Sequence, residues 1–253
     1  MTSRSSSLPG LRDRKAAQTR VAITRALDAR LVDAPLAGIS VDDLARDAGI
    51  SRMTFFNHFP SKESAVDYSM VVWLTQLEAG LGALRGVRAI QEIFARMGDE
   101  MAHSTARMRR IFAHFTAREG ARTLPVLGIA ERLLIAPELT HDLPNVGLGP
   151  MLLRALSEAR EDGELSFEGS DYELAHYLGA LATGSAIIGH SATDTDWRQL
   201  FRRHVHRALG LFSVKGMKAP KAPLVPARYR NTSPKKPTPL KKPATKSRSK
   251  GRS

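Results

Sequence analysis

Ser40 to Ser64 reads SVDDLARDAGISRMTFFNHFPSKES, and the order of caps, turn and stop signals in it decides the fold of the N-terminal part. Ser40 is a good N-cap and Asp43 stands at the third helical position, so a short helix is expected from Val41 to about Asp47. Ala48-Gly49-Ile50 follows, with Gly where the backbone must turn through positive φ. Ser51 caps a second helix, Arg52 to about His58, which Pro60 stops, and Ser61 caps a third. Leu44, Ala48, Ile50, Phe55 and Phe59 are the apolar positions that would hold the pair together. That leaves Arg52, Met53, Thr54, Phe56, Asn57 and His58 on the remaining faces of a helix about two turns long, a size that fits a DNA major groove. Two Ser-capped helices around a glycine can equally form an ordinary αα-corner; the continuation FFNHFPSKES favours the DNA-reading form.

The chain has 253 residues, enough for a small helix-turn-helix unit and a larger domain with its own core. Cys is absent, which removes disulfides, thiolate zinc sites and cysteine nucleophiles together. The N-terminal MTSRSSSLPGLRDRK has no apolar core of an export signal, and the least polar stretch, Tyr177 to Gly189, is too short to span a bilayer. A soluble, cytoplasmic protein is expected, without membrane contact.

The net charge of +13 is concentrated in one place. Residues 214–253 hold thirteen Lys or Arg and no Asp or Glu, whereas residues 1–213 hold twenty-five charges of each sign. The body contains only two lysines, Lys15 and Lys62, against nine in the tail, which also carries seven of the fourteen prolines. A segment so poor in large apolar groups cannot offset the entropy of ordering, so 214–253 is expected to be a disordered basic arm. Residues 1–10 are expected to be disordered too, with the helix-turn-helix domain over 11–67 and an effector-binding and dimerisation domain over 68–213.

Between the termini the periodicity is helical throughout. A first helix should run from about Leu11 to Asp33 with Val21, Ile23, Ala26, Leu27 and Leu31 inward. From Ser61 a long helix continues through Leu77 until glycines at 80, 82 and 86 break it. Ile90, Ile93, Phe94, Met97, Met101, Met108, Phe112 and Phe115 recur at spacings of three, four and seven, predicting one amphipathic helix from about Val87 to Glu119. Further helices are expected over Ala121–Ile135, Pro150–Asp162, Asp171–His190 and Asp194–Phe212, with a loop from Pro137 to Gly149. The sum is an all-α fold of about nine helices.

The run from Arg20 to Asp67 resembles the N-terminal domain of the TetR (tetracycline-repressor-like) transcriptional regulators, through LARDAGIS, FFNHF and PSKE in the register of that family's motif. The family usually carries Gly at position 53 and Tyr at position 56; here they are Met53 and Phe56, and Phe56 has no hydroxyl to offer a phosphate. The resemblance implies that Arg52, Thr54 and Asn57 contact base edges, as Arg pairs bidentately with guanine and Asn with adenine. It implies that Ser51, His58 and Lys62 hold phosphates, with Ser40, Met53 and Phe56 completing the DNA-facing set. Arg12, Arg14, Lys15 and Arg20 on the first helix read as backbone clamps or, equally, as a solvated helix start.

The aromatic and methionine stripe reads first as core. The family, however, usually lines an apolar cavity with this helix region, so the resemblance makes Trp73, Phe94, Met97, Met101, Phe112 and Phe115 the candidate pocket for a small apolar effector. His103, Arg107, Arg110 and His114 recur on another side and read as a solvated polar stripe rather than a metal or catalytic site. No HExxH, phosphate loop or nucleophile elbow occurs, and VGLGP at 146–150 lacks the third glycine of a dinucleotide fingerprint. Neither an enzyme nor a cofactor or metal is expected.

In the penultimate helix Gly179, Ala180, Ala182, Thr183, Gly184 and Ala186 would let helices approach closely. A reader of palindromic double-stranded DNA needs a two-fold partner, so the last two helices are expected to form a homodimer's four-helix bundle. The expected function is that of a ligand-released repressor, nucleoid-associated through its operator. Two alternatives are an architectural DNA binder driven by the tail and an effector-free regulator controlled by a protein partner.

Overall fold

A computed structural model of the chain describes residues 9–117, 124–139, 146–192 and 194–212. The expected basic tail from 214 onward and all but the end of the expected N-terminal segment lie outside the described residues. Ten α-helices and one short 3₁₀ turn make up the described part, with no β-strand among them. No described helix is long and apolar enough to cross a membrane.

Helix α1 (Leu11–Asp33) buries Val21, Ile23, Ala26, Leu27 and Leu31, as the periodicity requires. The 3₁₀ turn Leu36–Gly38 leads into α2 (Val41–Asp47) and α3 (Arg52–His58). The Ser40 hydroxyl accepts from the Asp43 amide and the Ser51 hydroxyl from the Thr54 amide, each at 3.0 Å. Gly49 turns between the helices at φ +68°, where any other residue would be strained. Helix α4 (Lys62–Leu81) opens on a capping box between Ser61 and Ser64. It passes straight through Gly80 and ends at Gly82, so only the second of the expected breakers acts as one.

The predicted helix over 87–119 is two helices, α5 (Gly86–His103) and α6 (Thr105–Ala117). Ser104 between them sits at φ −130°, ψ 46°. Thr105 bonds its hydroxyl back to the Met101 carbonyl at 2.6 Å, the local competition with the helix ladder that Ser and Thr bring mid-helix. The apolar stripe crosses the break intact, which is why periodicity alone does not reveal it. Helix α7 (Ile129–Ile135) is much shorter than the expected 121–135; Pro125 keeps the chain extended there and Gly128 stands at the N-cap. Helix α8 (Leu148–Glu161) begins two residues before Pro150, which fits within a first turn. Helices α9 (Asp171–Ser191) and α10 (Trp197–Gly210) complete the fold, the latter three residues later than expected because Asp196, not Asp194, is the cap.

Helix α5 is the central element: α10, α8, α4 and α6 all pack on it. Gly98 lets α10 come close, since a Cβ there would lie 3.0 Å from the Trp197 carbonyl oxygen and 3.2 Å from Arg198 Cα. A second close approach is at Gly189, where a Cβ would overlap the Trp197 indole; that ring also stacks on His190 at 4.6 Å between centroids. Gly189→Ala should therefore destabilise the protomer by about 1–3 kcal/mol, overpacking outweighing the better helix propensity of Ala. A lower urea midpoint with unchanged slope checks this; an unchanged midpoint would mean that α9 and α10 can part at no cost.

Candidate nucleic-acid interface

Helix α3 has seven residues and one inward anchor, Phe55, which is fully buried. With Phe55 inward, helical geometry turns Met53, Phe56 and Asn57 outward, and these are exposed together with Arg52, the first residue of the helix. Met53 and Phe56 keep 71% and 41% of their surface in solvent, unusual exposure for large apolar groups on one short helix. The Arg52 guanidinium lies 5.5 Å from the Phe56 ring centre and pairs with Asp42 of α2 at 2.6 Å. Both ends of that pair are well exposed, so it is weak and exchangeable. Asp42 is a partner that the sequence reading missed; its place in the first turn of α2, ten residues before Arg52, is the only hint in the chain.

Thr54 is half-buried, its hydroxyl 2.8 Å from that of Ser51. His58 is half-buried at the end of α3, and burial, reinforced by the charge of Arg20, holds its imidazole below the usual range and so uncharged at neutral pH. Ser40 is engaged within its own cap: it also donates to the Asp43 carboxylate at 2.7 Å. Asp43 and Asp47 in turn bind Arg30 of α1, which braces α2 against α1, and Asp43 also pairs with Arg46 within α2.

Two expected phosphate or backbone contacts are committed elsewhere. Lys62 donates its three ammonium protons to the carbonyls of Leu36, Ala37 and Ile39, at 2.7, 3.3 and 3.0 Å; an ammonium has no fourth donor for a phosphate. Its work is to hold the 3₁₀ turn that sets the angle of α2. Arg20 forms an ion pair with Glu131 of α7, whose side chain is buried. Arg12, Arg14 and Lys15 remain exposed on the first turns of α1.

The expected apolar pocket is likewise redistributed. Phe94, Met97 and Met101 are buried in the continuous core, Phe94 against Phe201 at 6.2 Å, while Phe112 and Phe115 pack half-buried against that core. Trp73 lines a cleft of about 530 Å³, and that cleft is polar. Its walls are Trp73, Gln76 and Leu77 of α4, Glu92, Arg96, Asp99, Glu100 and His103 of α5, and Arg198 of α10. Arg96 pairs with Glu92 at 2.8 Å and Arg198 with Asp99 at 2.5 Å. The i,i+4 spacing of Glu92 and Arg96 was legible in the chain; Arg198 meeting Asp99 was not.

The stripe read as solvated is in fact an inter-helix joint. Arg107 is largely buried, pairing with Glu100 and, at 3.2 Å, with Asp28 of α1. Burial raises the Asp28 carboxyl above its usual range, and Arg107 and the Ser69 hydroxyl oppose that shift. Arg110 donates to the carbonyls of Leu31 and Asp33 at the end of α1, at 2.5 and 3.1 Å. His114 lies 3.5 Å from Asp67 of α4. Among the described residues no group of His, Asp and Glu could hold a metal ion.

Residues 29–66 match the model of the N-terminal domain of bacterial regulatory proteins of the tetR family. The chain is also similar to the HTH-type transcriptional regulator EthR of Mycobacterium tuberculosis, 56% identical over 46 residues. That match covers 18% of this chain and only 21% of the relative's length. Over most of its length the fold is similar to that of FadR of Thermus thermophilus, a TetR family transcriptional repressor solved with lauroyl-CoA. The TM-score is 0.53 at 20% identity, covering 82% of this chain and 99% of that one. It is equally similar to TylP, a TetR regulator from Streptomyces fradiae, with a TM-score of 0.53 at 20% identity over 79% and 89% of the two chains. The chain thus shares with the tetR family of bacterial regulatory proteins a helix-turn-helix segment over residues 29–66, and with its solved members an all-α fold of the same kind.

Proposed function

We propose that this protein is a homodimeric, sequence-specific DNA-binding transcriptional regulator, a repressor that a small molecule releases from a palindromic operator. The observation that carries the reading is the outer face of α3, where Arg52, Met53, Phe56 and Asn57 stand exposed on a capped two-turn helix backed by Phe55. Residues 11–67 form the reading unit in this scheme, and residues 68–213 the effector and dimerisation part. The protein would act in the cytoplasm, on the nucleoid. The effector is better matched to the polar cleft beside Trp73 than to an apolar cavity; a ligand there would exchange the Arg96–Glu92 and Arg198–Asp99 pairs for its own contacts. Because α4 walls that cleft and also begins beside α3, occupancy shifts the population between two half-site spacings. A hundredfold loss of operator affinity needs a coupling of only about 2.7 kcal/mol.

Two features support the dimer. Helix α9 presents Tyr177, Ala180, Ile187 and Ile188 to solvent, Ile188 with 66% of its surface exposed. Gly179 and Gly184 sit with nothing within 4 Å of where a Cβ would be, so no contact within the protomer accounts for them. Helix α10 contributes arginines outward, Arg202, Arg203 and Arg207, which leaves α9 as the apolar part of the interface.

The charge of the tail favours one second reading, an architectural DNA binder with little sequence preference. Four variants separate and test these readings. Arg52→Ala should cost about 1–3 kcal/mol per half-site and relax preference at one position. Lys62→Ala should lower the urea midpoint while leaving base preference alone. Selection of bound fragments from a random pool reads both; undiminished preference in Arg52→Ala removes that residue from readout. Gly184→Leu should give protomers of unchanged helicity that sediment as monomers, since the added side chain meets nothing within the protomer. A variant that stays dimeric would place the interface elsewhere. Deleting residues 215–253 should spare operator choice but flatten the salt dependence of affinity by roughly four units of log–log slope, if four or five of the arm's cations engage phosphates at about 0.9 each. Identical slopes for the two proteins would show that the arm does not touch DNA.

A further inference from the structure

Residues 124–135 do something the helical pattern does not suggest: α7 and the extended stretch before it lie against α1 and α4, close to the DNA-reading unit. Leu127, Ala130 and Ala136 are buried there, and the Arg20–Glu131 pair ties the segment down. Between it and the end of α3 opens a cleft of about 400 Å³, within the range that holds one small molecule. Its sides are apolar, Phe59 and Pro60 facing Pro125 and Val126.

Its polar end is formed by Tyr68, Glu131 and Arg20. Tyr68 keeps only 4% of its surface exposed and packs edge-on against Phe59 at 5.3 Å. Among the described residues its hydroxyl meets no hydrogen-bond partner, although buried polar groups are paired almost without exception. Burial, then the neighbouring Glu131 carboxylate, push this phenol up, so it is a neutral donor. Asp67 also lines the cleft, 3.5 Å from His114. At the phenol itself the Glu131 carboxylate outweighs the Arg20 guanidinium, which disfavours an anion at that end of the cleft.

We propose that this cleft binds a small ring compound with an uncharged or cationic nitrogen head group, of which a primary carboxamide is the simplest. The carboxamide oxygen accepts from the Tyr68 hydroxyl, its N–H donates to Glu131, and the ring lies between Pro60 and Val126. This site is separate from the polar cleft beside Trp73, and neither DNA binding nor an effector there is needed for it. An occupant bridges α7 to the last turn of α3.

The test is a titration of the ¹⁵N-labelled full-length protein, without DNA, with benzamide and, separately, with its isosteric anion benzoate. Benzamide should shift the amides of residues 58–68 and 124–131 in a saturable way, and benzoate at equal concentration should leave them in place. Tyr68→Phe keeps the ring and removes only the hydroxyl; it should weaken benzamide binding by about five- to tenfold while the rest of the spectrum is retained. No shift with benzamide, equal shifts with benzoate, or undiminished affinity in Tyr68→Phe would each overturn the proposal. Because no DNA is present, failure here leaves the regulator reading untouched.

Discussion

A helix of seven residues does not persist in water by itself, so α3 depends on the burial of Phe55. That one side chain, at zero exposure, docks the helix under α1 and α2. It sits 6.0 Å from Phe59, which in turn meets Tyr68 of α4 at 5.3 Å. The aromatic chain joins the reading helix to the helix that leads into the rest of the protein. It also decides which residues face outward, since fixing residue 55 inward fixes 53, 56 and 57 outward. The caps at Ser40, Ser51 and Ser61 and the turn at Gly49 set the ends of these helices; Phe55 sets their rotation.

Features encoded by neighbours in the chain were readable from it. The bounds of α1, α2 and α3 follow from caps, a positive-φ glycine and a proline, each acting within four residues, and the observed bounds agree. The break at Ser104 escaped because the apolar positions on either side keep their spacing; only the pair Ser104-Thr105, poor in helix propensity, marks it. The shortening of α7 is legible in Pro125, although the apolar run around it keeps the helical pattern. Phe94, Met97 and Met101 are core rather than an open cavity because helix spacing reports that a face is apolar, not whether the next helix fills the space. Here Gly98 lets α10 fill it.

The charged residues were the hardest to place, and for a common reason: a long side chain can reach partners far away in sequence. Lys62 resembles a phosphate anchor in the linear motif, yet it closes a turn more than twenty residues earlier. Arg20 reaches Glu131, and Arg107 reaches Asp28. Each of these pairings commits a cation to contacts within the protomer. The cationic groups left exposed in residues 11–67 are Arg52 on α3, Arg46 on α2, and Arg12, Arg14, Lys15 and Arg25 on α1. That makes the exposed Met53 and Phe56 correspondingly more important to any contact α3 makes.

Arg110 gives the grip on α1 a mechanical meaning. It binds the last carbonyls of a 23-residue helix, where the partial negative charge of the helix end also favours a guanidinium. At 1.5 Å per residue that helix is about 35 Å long. It is a lever: α6 holds one end through Arg110 and, one turn earlier, Arg107, while Arg12, Arg14 and Lys15 ride on the other, beyond the Arg20–Glu131 pair to α7. A tilt of about 5° at the held end displaces the far end by about 3 Å, the width of a hydrogen bond. A movement of α6 too small to disturb the core is thus large enough to make or break any contact of the three cations at that end.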